Sequence, residues 1–135
     1  MQPTPLASIV VLLAVLEFMA FGGMVGYARS KYGVKAPTTS GDPLFERHFR
    51  VHYNTMEQLI VFVPAILLFG FFLSDLWAAI VGAVFIVSRV FYAIGYVKDP
   101  KQREFGSILG FLCQAVLIFG ALYGAIRGAM AVHGS

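Results

Sequence analysis

The chain has 135 residues, of which 59% are hydrophobic and 13% charged, against roughly 45–50% and 25% in soluble globular chains. Its mean hydropathy of +0.78 asks for more core than so short a chain encloses, because small domains leave much of their surface wet. The surplus apolar surface must face lipid, which excludes a water-soluble fold; the net charge of +3 is then no nucleic-acid footprint, since no soluble scaffold carries a basic face.

A bilayer core takes about 20 apolar residues per helix, and four such stretches follow one another. The first runs from about Leu6 to Ala28, interrupted by Glu17. No basic segment precedes it, so it reads as a true span and not as a cleaved secretory signal. The segment Lys35-Ala-Pro-Thr-Thr-Ser-Gly-Asp-Pro43 is rich in turn residues and reads as a loop. The second stretch runs from about Val51 to Leu73 and contains Pro64, which is expected to free a backbone carbonyl and bend the helix. Ser74 and Asp75 make a tight reversal that forces the second and third spans antiparallel. The third stretch, about Leu76 to Val97, is apolar except for Arg89; a short polar link, Lys98 to Arg103, leads to the fourth, about Phe105 to Ile126.

The one cysteine, Cys113, excludes disulfides within the chain and Cys-based metal sites; among Phe111, Leu112, Val116 and Leu117 it reads as a small buried hydrophobe. His48, His52 and His133 have no metal-ligand spacing, and His133 is expected in a frayed tail. The fold class is therefore an all-α membrane protein, a four-transmembrane-helix bundle forming a single domain over residues 1–135.

Orientation follows from the basic residues. Arg29, Lys31, Lys35, Arg47, Arg50, Arg89, Lys98, Lys101 and Arg103 fall at the end that carries the first and third connections, and Arg127 alone at the other. That end is expected in the cytosol, with both termini on the opposite side. Glycines four apart, at Gly22 and Gly26, Gly106 and Gly110, and Gly120, Gly124 and Gly128, mark close helix approach, equally readable as packing within one bundle or between subunits.

Ionisable residues are costly in a span and point to function when they share a face. Arg50, Asn54 and Glu57 stand at i, i+4 and i+7, within about 60° of arc, with Arg47 one turn earlier. Arg89, Tyr92 and Tyr96 share a face of the third helix, which runs antiparallel to the second, so both patches lie at one depth. Arg29 and Arg103 complete a rim crowded with guanidinium groups. Headgroup anchoring accounts for Lys31, Lys35, Lys98 and Lys101, but not for an amide, a carboxylate and two phenols at helical spacing beside arginines. Such a rim suits an anion with more than one carboxylate or phosphate, gripped by arginines, with Glu57 placed to pair with an arginine or to receive an ammonium on the same ligand. Glutathione, with two carboxylates and one amine, fits that inventory.

The stretch Phe45-Glu-Arg-His-Phe-Arg50-Val-His-Tyr-Asn54-Thr-Met-Glu57, the stretch Arg89-Val-Phe-Tyr92-Ala-Ile-Gly-Tyr96 and the following Arg103 resemble the signature of the MAPEG family, the membrane-associated proteins in eicosanoid and glutathione metabolism. The likeness is greatest to its microsomal glutathione transferases and leukotriene C synthase. It implies a homotrimer of four-helix bundles with glutathione between neighbouring subunits, lined by Arg50, Asn54, Glu57, Arg89, Tyr92 and Tyr96, with Arg29, Arg47 and His52 as additions. It also implies that Arg103 activates the glutathione thiol and that the second substrate is a lipophilic electrophile or lipid hydroperoxide arriving through the membrane. Ser30 and Gln58 stand where leukotriene C synthase carries an arginine and a tyrosine, which argues against leukotriene synthesis. Two other classes fit the span count. A lipid-binding scaffold of the same fold would not need the full arginine and tyrosine set, and a small multidrug exporter, suggested by Glu17, would not gather arginines at one mouth.

Overall fold

The computed structural model describes residues 2–134. They form α1 (Pro5–Tyr32), α2 (Pro43–Phe72), α3 (Asp75–Lys98) and α4 (Glu104–His133), with a short 3-10 helix at Pro100–Arg103 leading into α4. All four long helices are long and apolar enough to cross a membrane. Each overruns its apolar stretch, because hydropathy reports the depth of hydrocarbon whereas a helix continues until its backbone is capped. α2 begins eight residues before Val51, where Asp42 accepts hydrogen bonds from the Leu44 and Phe45 amides at 2.9 and 3.0 Å. α1 ends at Gly33, whose positive φ of 69° lets its own amide and that of Val34 turn back to Arg29. His133 is the last residue of α4 and not part of a frayed tail, as the helix keeps its ladder to that point. α2 continues through Pro64 without a break.

The N-terminus of α1 has no side-chain cap of its own. Asp75, the first residue of α3, supplies it from across the bundle, accepting hydrogen bonds from the Leu6 and Ala7 amides at 2.9 Å each. Gln2 donates through Nε2 to the Gly70 and Leu73 carbonyls, closing the C-terminus of α2. These ties satisfy backbone groups that hydrocarbon would leave unpaired.

α2 and α3 pack against each other and each also packs against α1 and α4, whereas α1 and α4 are on opposite sides of that central pair. The core follows this plan: Phe62 and Phe85 stack at 4.2 Å between α2 and α3, with Val10 and Ala14 of α1 on one side and Cys113 and Leu117 of α4 on the other. The most apolar stretch of α1 is only 17% buried, so most of that helix faces outward.

Two of the three glycine sets serve packing within the chain. A Cβ at Gly106 would strike the α3 backbone at Tyr92 and Ser88, and those at Gly120 and Gly124 would strike Phe69 and Phe72 of α2 and Leu73 just after it. The third set divides: Gly22 lies against His52, while Gly26 meets nothing and is open to the outside. Glu17 is half-buried in α1; its Oε2 has no hydrogen-bond partner, and the cation whose field reaches it is Arg89 of α3.

Candidate functional site

Arg50, Tyr53, Asn54 and Glu57 of α2, Tyr92 and Tyr96 of α3, and Arg103 at the entry to α4 line one polar cleft of about 420 Å³. Helical spacing sets the first group on one wall and the second on the facing wall. The third wall exists because Gly106 lets the start of α4 touch the α3 backbone beside Tyr92. Gly95 does the same for the 3-10 turn, where a Cβ would collide with the Gln102 carbonyl. Two glycines thus bring Arg103 alongside Tyr96.

The cationic and phenolic side chains form a ladder along α3. The Arg89 guanidinium lies 4.2 Å from the Tyr92 ring centroid, the Tyr92 and Tyr96 rings stack at 5.7 Å, and the Arg103 guanidinium sits 5.7 Å from the Tyr96 centroid. Arg103 is further held by a 3.1 Å hydrogen bond from Nη1 to the Pro100 carbonyl. It stays exposed, whereas Arg89 is only 3% exposed. A guanidinium so buried needs partners. Its Nη2 donates at 2.8 Å to both Asn54 Oδ1 and Thr55 Oγ1, and the Thr55 hydroxyl donates in turn to the Val51 carbonyl at 2.7 Å. Arg89 therefore stands behind the cleft and fixes Asn54 within it, while its Nε finds no partner among the described residues.

The remaining residues singled out in the sequence lie elsewhere. Arg47 donates to the Val97 and Lys98 carbonyls at 3.1 and 3.2 Å, capping α3, and lines a neighbouring cleft of about 530 Å³ that shares Arg50 and Tyr96 with the first. Arg29 donates to the Thr38 carbonyl at 2.6 Å and lies 4.8 Å from the Phe45 centroid, tying the first loop to α2. His52 stacks on Phe18 at 4.3 Å and faces α1. Within one chain, then, Arg29 and His52 are on the α1 side of the central helix pair and the cleft is on the α4 side.

Sequence reading passed over Tyr53 and Thr55. Tyr53 is three residues from Arg50 and four from Glu57, so helical spacing alone places it beside both. Thr55 carries no such signal, because a buried threonine bonding back to the preceding turn is common in any apolar helix. No cluster of three or more His, Cys, Asp or Glu side chains fit to hold a metal occurs among the described residues.

The model of the MAPEG family matches residues 6–123. The chain is 42% identical over 115 residues to an uncharacterized protein of Synechocystis sp., covering 85% of this chain and 84% of that one. It is 36% identical over 119 residues to microsomal glutathione S-transferase 2 of Bos taurus, with 83% and 82% covered, and 34% identical over 102 residues to leukotriene C4 synthase of Rattus norvegicus, with 76% and 68% covered. Four membrane-length helices and a match across most of the length agree: the chain belongs to the MAPEG family and is a multi-pass integral membrane protein.

Proposed function

We propose that the protein is a membrane-bound glutathione transferase, binding glutathione in the α2–α3–α4 cleft and joining its sulfur to lipophilic electrophiles. The observation that carries this reading is the set of polar groups in the cleft: two exposed arginines, three phenols, an amide and a carboxylate around about 420 Å³, a size suited to a small ligand. Relatives that share most of the chain are glutathione S-transferases by name, which supports the same choice.

In this reading Arg50 binds a glutathione carboxylate, Glu57 the α-ammonium, and Asn54, fixed by Arg89, a peptide group. Tyr92 and Tyr96 supply hydroxyl donors and a flat wall. Arg103 holds the thiol as thiolate. A free thiol has a pKa near 8.5, so only a few per cent is ionised at neutral pH; each unit of lowering requires about 1.4 kcal/mol, within reach of one guanidinium–thiolate pair. Arginine suits the task because it does not lose its own charge. The thiolate attacks the electrophilic carbon, a C–S bond forms, and the leaving group departs with its electron pair. With a lipid hydroperoxide the same thiolate attacks the terminal oxygen, the O–O bond breaks to release the alcohol and leave glutathione sulfenic acid, and a second glutathione condenses with that sulfenic acid to give the disulfide and water.

The α1 side of one copy, carrying Arg29 and His52, and the α4 side of the next, carrying the cleft, make unlike surfaces. Repeated head to tail they close a ring where the rotation between copies closes, and a homotrimer would bring Arg29 and His52 of one copy to the cleft of the next at the subunit boundary. The arginine-rich end then faces the cytosol.

Calorimetry with glutathione on detergent-purified protein, with oligomer mass measured on the same sample, tests the proposal. One site per chain on a trimeric particle, together with turnover of chlorodinitrobenzene, is expected. Absence of glutathione binding would overturn it, and tight fatty-acid binding in its place would identify a lipid scaffold.

A further inference from the structure

Back to back with the polar cleft, on the other side of the α2–α3 pair, runs a second cavity of different character. It has a volume of about 550 Å³ and is lined by apolar side chains, among them Phe21 and Met24 of α1 and Val90 and Ile94 of α3, except at one end, where His48 and Lys98 reach it. The two cavities draw on alternate faces of the same helical turns: Tyr92 and Tyr96 face the cleft, while Val90, Ala93 and Val97 face the groove. Between them the wall is closed by Arg89 bonded to Asn54 and Thr55. A molecule in the groove therefore does not reach the thiolate position, so the groove is no entry route for an electrophile.

We infer that this groove is a binding site for an anionic phospholipid of the surrounding bilayer. One acyl chain lies along the α1–α3 furrow and the headgroup phosphate meets Lys98 and His48. Charge and depth specify the occupant. The furrow is apolar where the bilayer is hydrocarbon, and it turns basic only at the end where headgroups lie. Lys98 is exposed in the last turn of α3 and lines the mouth beside His48 of α2, so one full cation and one imidazole donor, from two helices, meet at the end where headgroups lie. A neutral chain would use the furrow but not the mouth. Phe18 and Gly22 meet His52 on a different flank of α1 from Ala20, Phe21 and Met24, so the groove is separate from the α1 surface that carries His52. The inference needs only the membrane location of the chain and stands apart from the glutathione reading.

Native mass spectrometry of the delipidated full-length protein tests it, with dioleoylphosphatidylglycerol and dioleoylphosphatidylcholine as probes. One phosphatidylglycerol per chain is expected, retained about fivefold more tightly than phosphatidylcholine, which is the worth of one basic group against an anionic headgroup. Lys98→Gln should remove the preference while leaving oligomer mass unchanged, Ala93→Trp should lower retention of both lipids, and Glu57→Gln in the polar cleft should alter neither. Equal retention of the two lipids, or a preference that survives Lys98→Gln, overturns the proposal. So does Ala93→Cys that resists a maleimide in the lipid-free particle, for then a second copy of the chain covers the groove.

Discussion

At the scale of single residues the ladder from Arg89 through Tyr92 and Tyr96 to Arg103 has a buried guanidinium that fixes geometry at one end and an exposed one at the other, to which the proposed function gives the charge-setting role. Arg103→Ala is expected to leave glutathione affinity within about twofold at a pH below the bound thiol's pKa, where parent and variant both hold the neutral thiol, while at neutral pH the ultraviolet absorbance of bound thiolate disappears and turnover falls about tenfold for each unit by which the thiol pKa rises above the assay pH. Unchanged thiolate absorbance would remove Arg103 from that role. Arg50→Ala or Glu57→Gln should instead weaken binding by about 1.5–3 kcal/mol, the usual worth of a hydrogen bond to a charged group. Calorimetric affinities equal to the parent's would make that face of α2 structural. The grouping of Arg50, Asn54 and Glu57 was legible because helical spacing puts them on one face whatever the face meets. What it meets was not: periodicity fixes angles about one axis and says nothing of which neighbour lies across from it. For that reason Arg47 proves to be a cap for α3, and His52 lies against Phe18, away from the cleft.

At the scale of elements, stability rests on ties that span helices. Asp75 accepts from two amides at the start of α1, and Asp75→Ala should lower stability by about 1–2 kcal/mol, as loss of an N-terminal cap does, read as a fall in melting temperature in detergent with glutathione affinity preserved. Gly106→Leu should do more. Its side chain has only the α3 backbone to displace, so α4 must separate from α3, costing about 1–3 kcal/mol, and Arg103 must leave Tyr96. A variant that keeps both melting temperature and thiolate absorbance would deny that contact its part in building the cleft. The spans, their order and the tight turn at Ser74 could be read from apolar runs and turn residues. The extra turns of α2 and α4 could not, because amphipathic ends have no hydropathic mark and are set by caps. Nor could spacing alone assign the glycines: the direction each one faces follows from which helix lies beside it, and that is a property of the assembled bundle.

For the whole molecule, the central α2–α3 pair is a partition with a polar cleft on one side and an apolar groove on the other. In the proposed ring, each site joins the cleft of one copy to Arg29 and His52 of the next. Mixed particles give a direct check. Chains carrying Glu57→Gln and chains carrying both Arg29→Ala and His52→Ala are each expected to be nearly inactive, yet particles assembled from both should regain activity, since some boundaries then pair two intact surfaces. Activity that never exceeds that of the two separate preparations would mean that each chain holds its site alone.

The stacked Phe62 and Phe85, both wholly buried between α2 and α3, lie on the far side of Ser88 and Arg89 from the mouth of the cleft. They make the cleft a blind alley: water and ions drawn in by its arginines must leave the way they came. The cleft itself should therefore give no electrical leak, for the aromatic stopper would confine the proposed sulfur chemistry to one surface of the membrane.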